Sequence, residues 1–337
     1  MKCLMLLLLL CLVLLCGCAS SARQLGVGYA PREDNRLVVY TSHKEEIYKP
    51  ILQEFEARTG IWVQVESGGT NEMLEQIASE SDYPLGDLMF GGGVESLEAY
   101  SSYFTAFTPE GMNKIRDSYY LPGSKWLPFS SLPIVLIYNP KLVGENIPQT
   151  WGSLLEDRWK GKIAFARPDV SGSSYTALAT LLQALPMEKD EILRRFFANL
   201  DGRILSGSGD VVGAVADGDF SIGVTLEETA KKGIAAGADI AMAYPVEGTS
   251  DVPDGAAMIK GCAHEENAKQ FISFILGADV QKRLITDYSR RSVRSDLADP
   301  GAQAQGLILM AYDIRWAGSQ KSAILSLWGE LIREAAP

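Results

Sequence analysis

From Leu37 onward, short apolar runs alternate with polar or glycine-bearing turns and amphipathic stretches. Leu37-Val38-Val39-Tyr40 reads as a buried strand. Ser42 to Glu45 follows with the serine-to-glutamate spacing of a capping box. Ile47, Ile51 and Phe55 then share one helical face as far as Gly60, which suits a left-handed helix end, with Pro50 predicted to kink the helix. Ile61–Val65 is the next predicted strand, Ser67–Thr70 a turn, Asn71–Ala78 a helix, and Asp87–Phe90 a strand ending in Gly91-Gly92-Gly93. The pattern resumes with Ile163–Ala166, a Ser/Gly turn at Ser171–Ser174 leading into a helix through Leu185, and Arg203–Leu205 leading to Ser206–Gly209 and a helix from Asp210. Phe220–Thr225 is a strand and Glu227 opens another helix. Such alternation predicts parallel α/β layers. Ile134–Tyr138 and Ile240–Tyr244 read as two crossings between lobes, which makes one lobe discontinuous around an inserted one. Two lobes on a two-strand hinge close on a ligand between them.

The N-terminus changes the picture. Lys2 precedes an apolar run from Cys3 to Leu15 and then Cys16-Gly17-Cys18, a secretory signal too short to span about 30 Å of hydrocarbon. The segment resembles a bacterial lipobox, in which a small residue precedes the modified cysteine. That rule selects Cys18, behind Gly17, over Cys16. Residues 19–35 read as a polar tether. Of five cysteines only Cys262 lies in the mature body, so no internal disulfide forms there. The net charge of −11 opposes nucleic acid or an anionic membrane surface as partner. It also means that an anionic ligand needs a local site of backbone amides.

Several helix starts supply such amides: Ser42–Glu45, Gly68–Asn71, Ser171–Thr176 and Ser206–Asp210. Free amides, hydroxyls and the positive end of the dipole together bind phosphate or carboxylate. Each start taken alone also reads as a simple cap or turn. Gly91–Gly93 permits close backbone approach. Glu227, with Glu228 beside it, follows a strand at the same edge and suits sugar hydroxyls or an ammonium group; Asp251 and Asp254 are weaker candidates. No nucleophile elbow, Walker sequence, Cys/His cluster or dinucleotide fingerprint is present, which argues against an enzyme.

Val39–Glu45, Phe55–Val63, Ser171–Ser174, Gly213–Asp219 and Asn267–Phe271, in this order and spacing, resemble the type 2 periplasmic solute-binding proteins. The cluster concerned holds the ferric-ion, phosphonate, sugar-phosphate and thiamine binders. The resemblance covers roughly Leu37 to Asp296. It implies an α/β fold of two Rossmann-like lobes, a monomer serving an ABC permease and ATPase, no cofactor and no catalysis. In ferric binders paired tyrosinates, a glutamate and an early histidine hold the iron. Here only the histidine position remains, as His43, and hard Fe(III) needs anionic oxygen ligands. Those relatives hold a synergistic anion at the positions matching Ser171-Gly172-Ser173 and Ser206-Gly207-Ser208.

The resulting expectation is a lipoprotein with a signal over 1–18 and a tether over 19–35. An N-terminal lobe covers 36–128 and 245–300, an inserted lobe 129–244, and a C-terminal helical segment 301–337. It is anchored by lipidated Cys18 in the periplasm or at the cell surface and captures a small anionic organic solute such as a sugar phosphate. The ligand residues expected are Ser42, His43, Gly69, Thr70, Gly92, Gly93, Ser171, Gly172, Ser173, Ser174, Ser206, Gly207, Ser208, Thr225 and Glu227, with no resident metal. Thiamine or its phosphates are the alternative, with Trp126, Tyr175 and Tyr244 available to stack on the cation. Ferric iron ranks last.

Overall fold

The computed structural model describes residues 33–298, 304 and 306–335. In chain order its elements are β1 (Arg36–Thr41), α1 (Glu45–Thr59), β2 (Trp62–Ser67), α2 (Thr70–Ser79), β3 (Leu88–Gly93), α3 (Val94–Ala99), β4 (Phe104–Thr105), β5 (Leu127–Ser131) and β6 (Ile134–Tyr138). Then come α4 (Pro140–Val143), β7 (Ile163–Ala164), α5 (Gly172–Ala184), α6 (Lys189–Leu200), α7 (Val211–Ala216), β8 (Ile222–Leu226) and α8 (Glu227–Ala235). The chain ends with β9 (Ala241–Ala243), β10 (Pro253–Ile259), α9 (Glu265–Ile275), α10 (Ala278–Tyr288), β11 (Arg291–Ser292) and α11 (Ile314–Ala335).

Two sheets result. The larger runs β11-β5-β10-β3-β1-β2, with β4 also on β10; the smaller runs β7-β8-β6-β9. Strand β1 shows why both faces of the larger sheet are covered: Leu37 and Val39 enter one apolar cluster while Val38 and Tyr40 enter another. Strand β6 does the same in the smaller sheet, with Ile134 and Leu136 on one side and Val135 and Ile137 on the other. A run that is apolar at every position is the mark of such doubly covered strands.

Purely parallel layers are not what forms. Strand β1 is parallel to β2 and β3, but β10 is antiparallel to β3 and β5, and β6 is antiparallel to β8 and β9. Strand β10 enters from the other lobe rather than through a helical crossover from its neighbour, so nothing forces it parallel. The two segments expected to cross between lobes instead lie side by side, as β6 and β9, within the smaller sheet. The crossings are Leu132-Pro133 and the stretch before β10. Ser250 O accepts the Ile134 amide at 3.2 Å, and Thr249 Oγ1 donates to Ile134 O at 2.7 Å, tying the two together. Strand β5 belongs to the larger sheet, so the chain leaves that sheet after Ser131, beyond the boundary expected at 128.

Helix α1 buries Ile47, Ile51 and Phe55 and ends on left-handed Gly60, φ 71°. The expected capping box at Ser42 does not form. Thr41 Oγ1 takes the His43 amide at 3.1 Å, which delays the helix to Glu45 and leaves Ser42 and His43 on the cleft side. Helix α11 packs on α3 and α6 and places Ala317 and Trp328 in the core beneath the smaller sheet. Its Lys321 donates to Ser96 Oγ at 2.7 Å and lies over the Tyr175 ring. Burial lowers the lysine to about 8. The C-terminal helix thereby bridges α3 on one lobe and α5 on the other.

Candidate functional site

A cleft of about 320 Å³ opens between the two sheets, at the lower end of the roughly 300–1,000 Å³ usual for small-molecule sites. Strands deliver their following loops to it from both sides. From the larger sheet come Ser42, His43 and Lys44 after β1, Gly69-Thr70 at the start of α2, and Gly92-Gly93 at the end of β3. From the smaller sheet come Ser171-Gly172-Ser173 at the start of α5, Gly207-Ser208-Gly209 ahead of α7, and Thr225 at the end of β8. Helices α2, α5 and α8 thus point their N-termini into one space, where free amides favour an anion.

Packing across this space is tight. A Cβ on Gly172 would stand 2.5 Å from Thr70 Oγ1, one on Gly92 2.6 Å from Thr70 Cγ2, and one on Gly69 2.9 Å from the Val170 carbonyl. Gly92 also needs its left-handed φ of 81°. Asn71 Nδ2 donates across the lobes to Asp169 O at 2.7 Å.

The opposite wall is ionic. Arg290 lies buried between two carboxylates: Nη1 reaches Asp254 Oδ2 at 2.6 Å and Nε reaches Glu228 Oε2 at 3.1 Å. Asp254 also accepts from the Ser130 amide at 2.8 Å and hydroxyl at 2.7 Å. Burial pushes the Asp254 carboxyl above its usual range, opposed by Arg290 and Ser130. Burial acts the same way on Glu228, but Arg290, Lys232 and Lys44 outweigh it and hold that carboxyl low. His43 packs edge-on to Phe90 with ring centroids 4.5 Å apart. Burial first, and the Arg290 charge second, hold its imidazole well below the ordinary histidine value, so it is neutral at pH 7. Its Nε2 lies 3.5 Å from Asp254 Oδ2 and makes no hydrogen bond among the described residues.

Three expected ligand residues lie elsewhere. Ser174 stays behind the α5 start, its amide bound to Ser171 Oγ at 3.4 Å. Ser206 turns to Asp210 Oδ2, also at 3.4 Å. Glu227 faces the hinge, not the cleft: Arg291 grips it through Nε and Nη2, both at 2.8 Å, and Tyr244 and Lys231 complete its shell. Burial raises that carboxyl but Arg291 and Tyr244 bring it below the usual range. Successive residues in a first helical turn point about 100° apart, which gives the cleft to Glu228 instead. Asp251 is likewise structural, accepting from Tyr119 Oη at 2.5 Å.

Sequence reasoning missed Arg290 altogether and ranked Asp254 low. Arg290 follows Ser289, a non-glycine residue in the left-handed region at φ 56° that ends α10 and turns the chain inward. Nothing in the hydrophobic period marks such a turn. The aromatics weighed for a cation are all engaged elsewhere: Trp126 with Glu98, Tyr175 with the Ala317 carbonyl, Tyr244 with Glu227. His43 is the one ring on the cleft wall among the described residues. Among those residues, too, no group of three or more His, Cys, Asp or Glu side chains is placed to hold a metal ion. Cys16 and Cys18 lie outside the described residues.

A family model described as bacterial extracellular solute-binding protein matches residues 51–309. The chain is 24% identical over 269 residues to the Fe(3+)-binding periplasmic protein of Serratia marcescens, covering 77% of this chain and 78% of that one. It is also 24% identical over 269 residues to a provisionally named 2-aminoethylphosphonate-binding periplasmic protein of Salmonella paratyphi A, covering 74% and 75%. In fold it is similar to the periplasmic binding protein AfuA of Actinobacillus pleuropneumoniae, solved with exogenous fructose-6-phosphate. The TM-score there is 0.80 at 20% identity, over 88% of this chain and 98% of that one.

Proposed function

The chain belongs to the bacterial extracellular solute-binding proteins, which serve ABC importers and are not enzymes, and from that premise we propose that it captures a small phosphorylated or phosphonate-bearing organic solute. One observation carries this reading: the N-termini of α2 and α5, with the hydroxyls of Thr70, Ser171 and Ser173, face one another across the cleft. They supply amides and hydroxyls to an anion. The remainder of the solute then meets His43, Asp254, Arg290 and Glu228. Among organic phosphates a sugar phosphate suits this wall best, because these four side chains offer hydrogen-bond partners to hydroxyls.

Thiamine fits less well, since among the described residues no Trp, Tyr or Phe lines the cleft to stack on its cation. Ferric iron, suggested by the name of the Serratia relative, needs anionic oxygens. The two carboxylates here are already bound to Arg290. The name of the Salmonella relative favours a second reading, an aminophosphonate whose ammonium would turn to Asp254 and Glu228.

The relatives are periplasmic, and this chain works in the same compartment. Within it we place a monomer held to the membrane by lipid on Cys18, with hinge closure about Leu132-Pro133 and 244–252 trapping the solute. Native mass spectrometry of protein purified from its own compartment without refolding tests the reading. A co-purifying species that loses phosphate on fragmentation supports it; a phosphorus-free ligand refutes it.

A further inference from the structure

We infer that Arg290 makes the ionic wall of the cleft a reader of uncharged hydroxyls and a barrier to ammonium, so that the solute is a polyol phosphate and not an aminophosphonate. The inference rests on the reading that the anion sits at the amide-lined wall, and it settles what occupies the other end.

The donors of Arg290 decide the matter. A guanidinium carries five N–H groups and no acceptor. Three are spent within the protein: Nε–H on Glu228, and the Nη1 pair on Asp254 and on Ser130 Oγ, the latter at 3.1 Å. The Nη2 pair makes no hydrogen bond among the described residues and is not sealed in the interior, while the residue itself lines the cleft. Beside it stands His43 Nε2, on a side chain only 5% exposed and likewise unpartnered.

An ammonium group has three donors and no acceptor. Placed here it would meet the Nη2 donors head-on, next to a positive charge. The two carboxylates that would welcome it are already ion-paired, Asp254 with Arg290 and Glu228 with both Arg290 and Lys232. A hydroxyl has both functions. It accepts from Nη2, which the protein leaves open, and donates to Glu228. Arg290 immediately precedes β11 of the larger sheet and Glu228 lies on α8 beside the smaller one, so a hydroxyl bound to both also joins the lobes.

The test is calorimetric titration of the wild-type protein with two pairs of compounds that differ by one group. One pair is glucose 6-phosphate and glucosamine 6-phosphate; the other is 2-hydroxyethylphosphonate and 2-aminoethylphosphonate. The hydroxyl member should bind at least about tenfold tighter, a difference of about 1.4 kcal/mol. Arg290→Gln should bring the ratio to one or invert it, because Asp254 and Glu228 regain uncompensated charge. Should that variant misfold, Glu228→Gln serves: it removes one carboxylate, keeps Arg290, and should widen the preference. An amino member that binds as tightly as its hydroxyl partner to the wild type overturns the role of Arg290 and leaves the phosphate reading standing. An unchanged ratio in folded Arg290→Gln does the same. If no member of either pair binds, the phosphate reading falls and this inference with it.

Discussion

Replacing Gly172 by alanine should weaken solute binding without harming the fold. Gly172 is the first residue of α5, and its added Cβ would lie 2.5 Å from Thr70 Oγ1 and 3.0 Å from Thr70 Cβ. Ordinary carbon contacts sit at about 3.5–4.0 Å, so the lobes must part by roughly 1 Å at that point. Rotating Thr70 offers little relief, since Gly92 closes on its methyl from the other side. Overpacking of this kind costs about 1–3 kcal/mol. Because it acts only on the closed cleft, it should appear as about a five- to 150-fold rise in Kd. Gly172 stands at the first helical position, where alanine is accommodated, so Tm should hold. Calorimetry with glucose 6-phosphate reads the affinity, and small-angle scattering reads closure. Adding Thr70→Ala removes Oγ1 and should restore most of the binding, a coupling of about 0.5–3 kcal/mol in the double-mutant cycle. An unchanged Kd in Gly172→Ala, or the same loss with Thr70→Ala present, would show that the Gly172–Thr70 contact does not govern closure.

Ser173→Ala should weaken binding by about ten- to 150-fold, the worth of one hydrogen bond to a charged group at about 1.5–3 kcal/mol. Ser174→Ala, behind the helix start, should leave Kd unchanged, and equal losses in the two variants would contradict this placement. Neutral, buried His43 binds fewer protons folded than unfolded below pH 6.5. Stability should therefore fall as pH drops through that range, by at most about 1.4 kcal/mol per unit. Denaturation of wild type and His43→Gln at pH 7 and pH 5 reads this share, and parallel profiles would exclude it. Cys18→Ser should release the protein to the soluble fraction in cell fractionation while Cys16→Ser should not; release by the Cys16 change alone would move the lipid to that residue.

The layers of the fold were legible because burial imposes a period on the chain. Leu37–Tyr40, the Ile47/Ile51/Phe55 face and the Gly60 end all formed as their spacing predicts. That the glycine- and hydroxyl-bearing helix starts reach one edge was legible too, since strands of one α/β layer deliver their following loops to the same side. Strand direction was not, because β6 and β9 look the same whether they cross between lobes or pair within one. Nor was the ionic wall. Choosing between Glu227 and Glu228 requires the rotation of α8 about its axis. Arg290 requires a left-handed turn at Ser289 and two acids from distant segments. Charges that neutralise one another in space leave no trace in a linear pattern.

On the proposed reading the cleft holds the anionic end of the solute first. Calorimetric titration of ligand-free protein with glucose 6-phosphate, glucose and inorganic phosphate tests it most directly. Saturable binding of the phosphate ester, weaker binding of inorganic phosphate at the same site, and none of glucose are expected. Glucose binding as tightly as its 6-phosphate would contradict that reading.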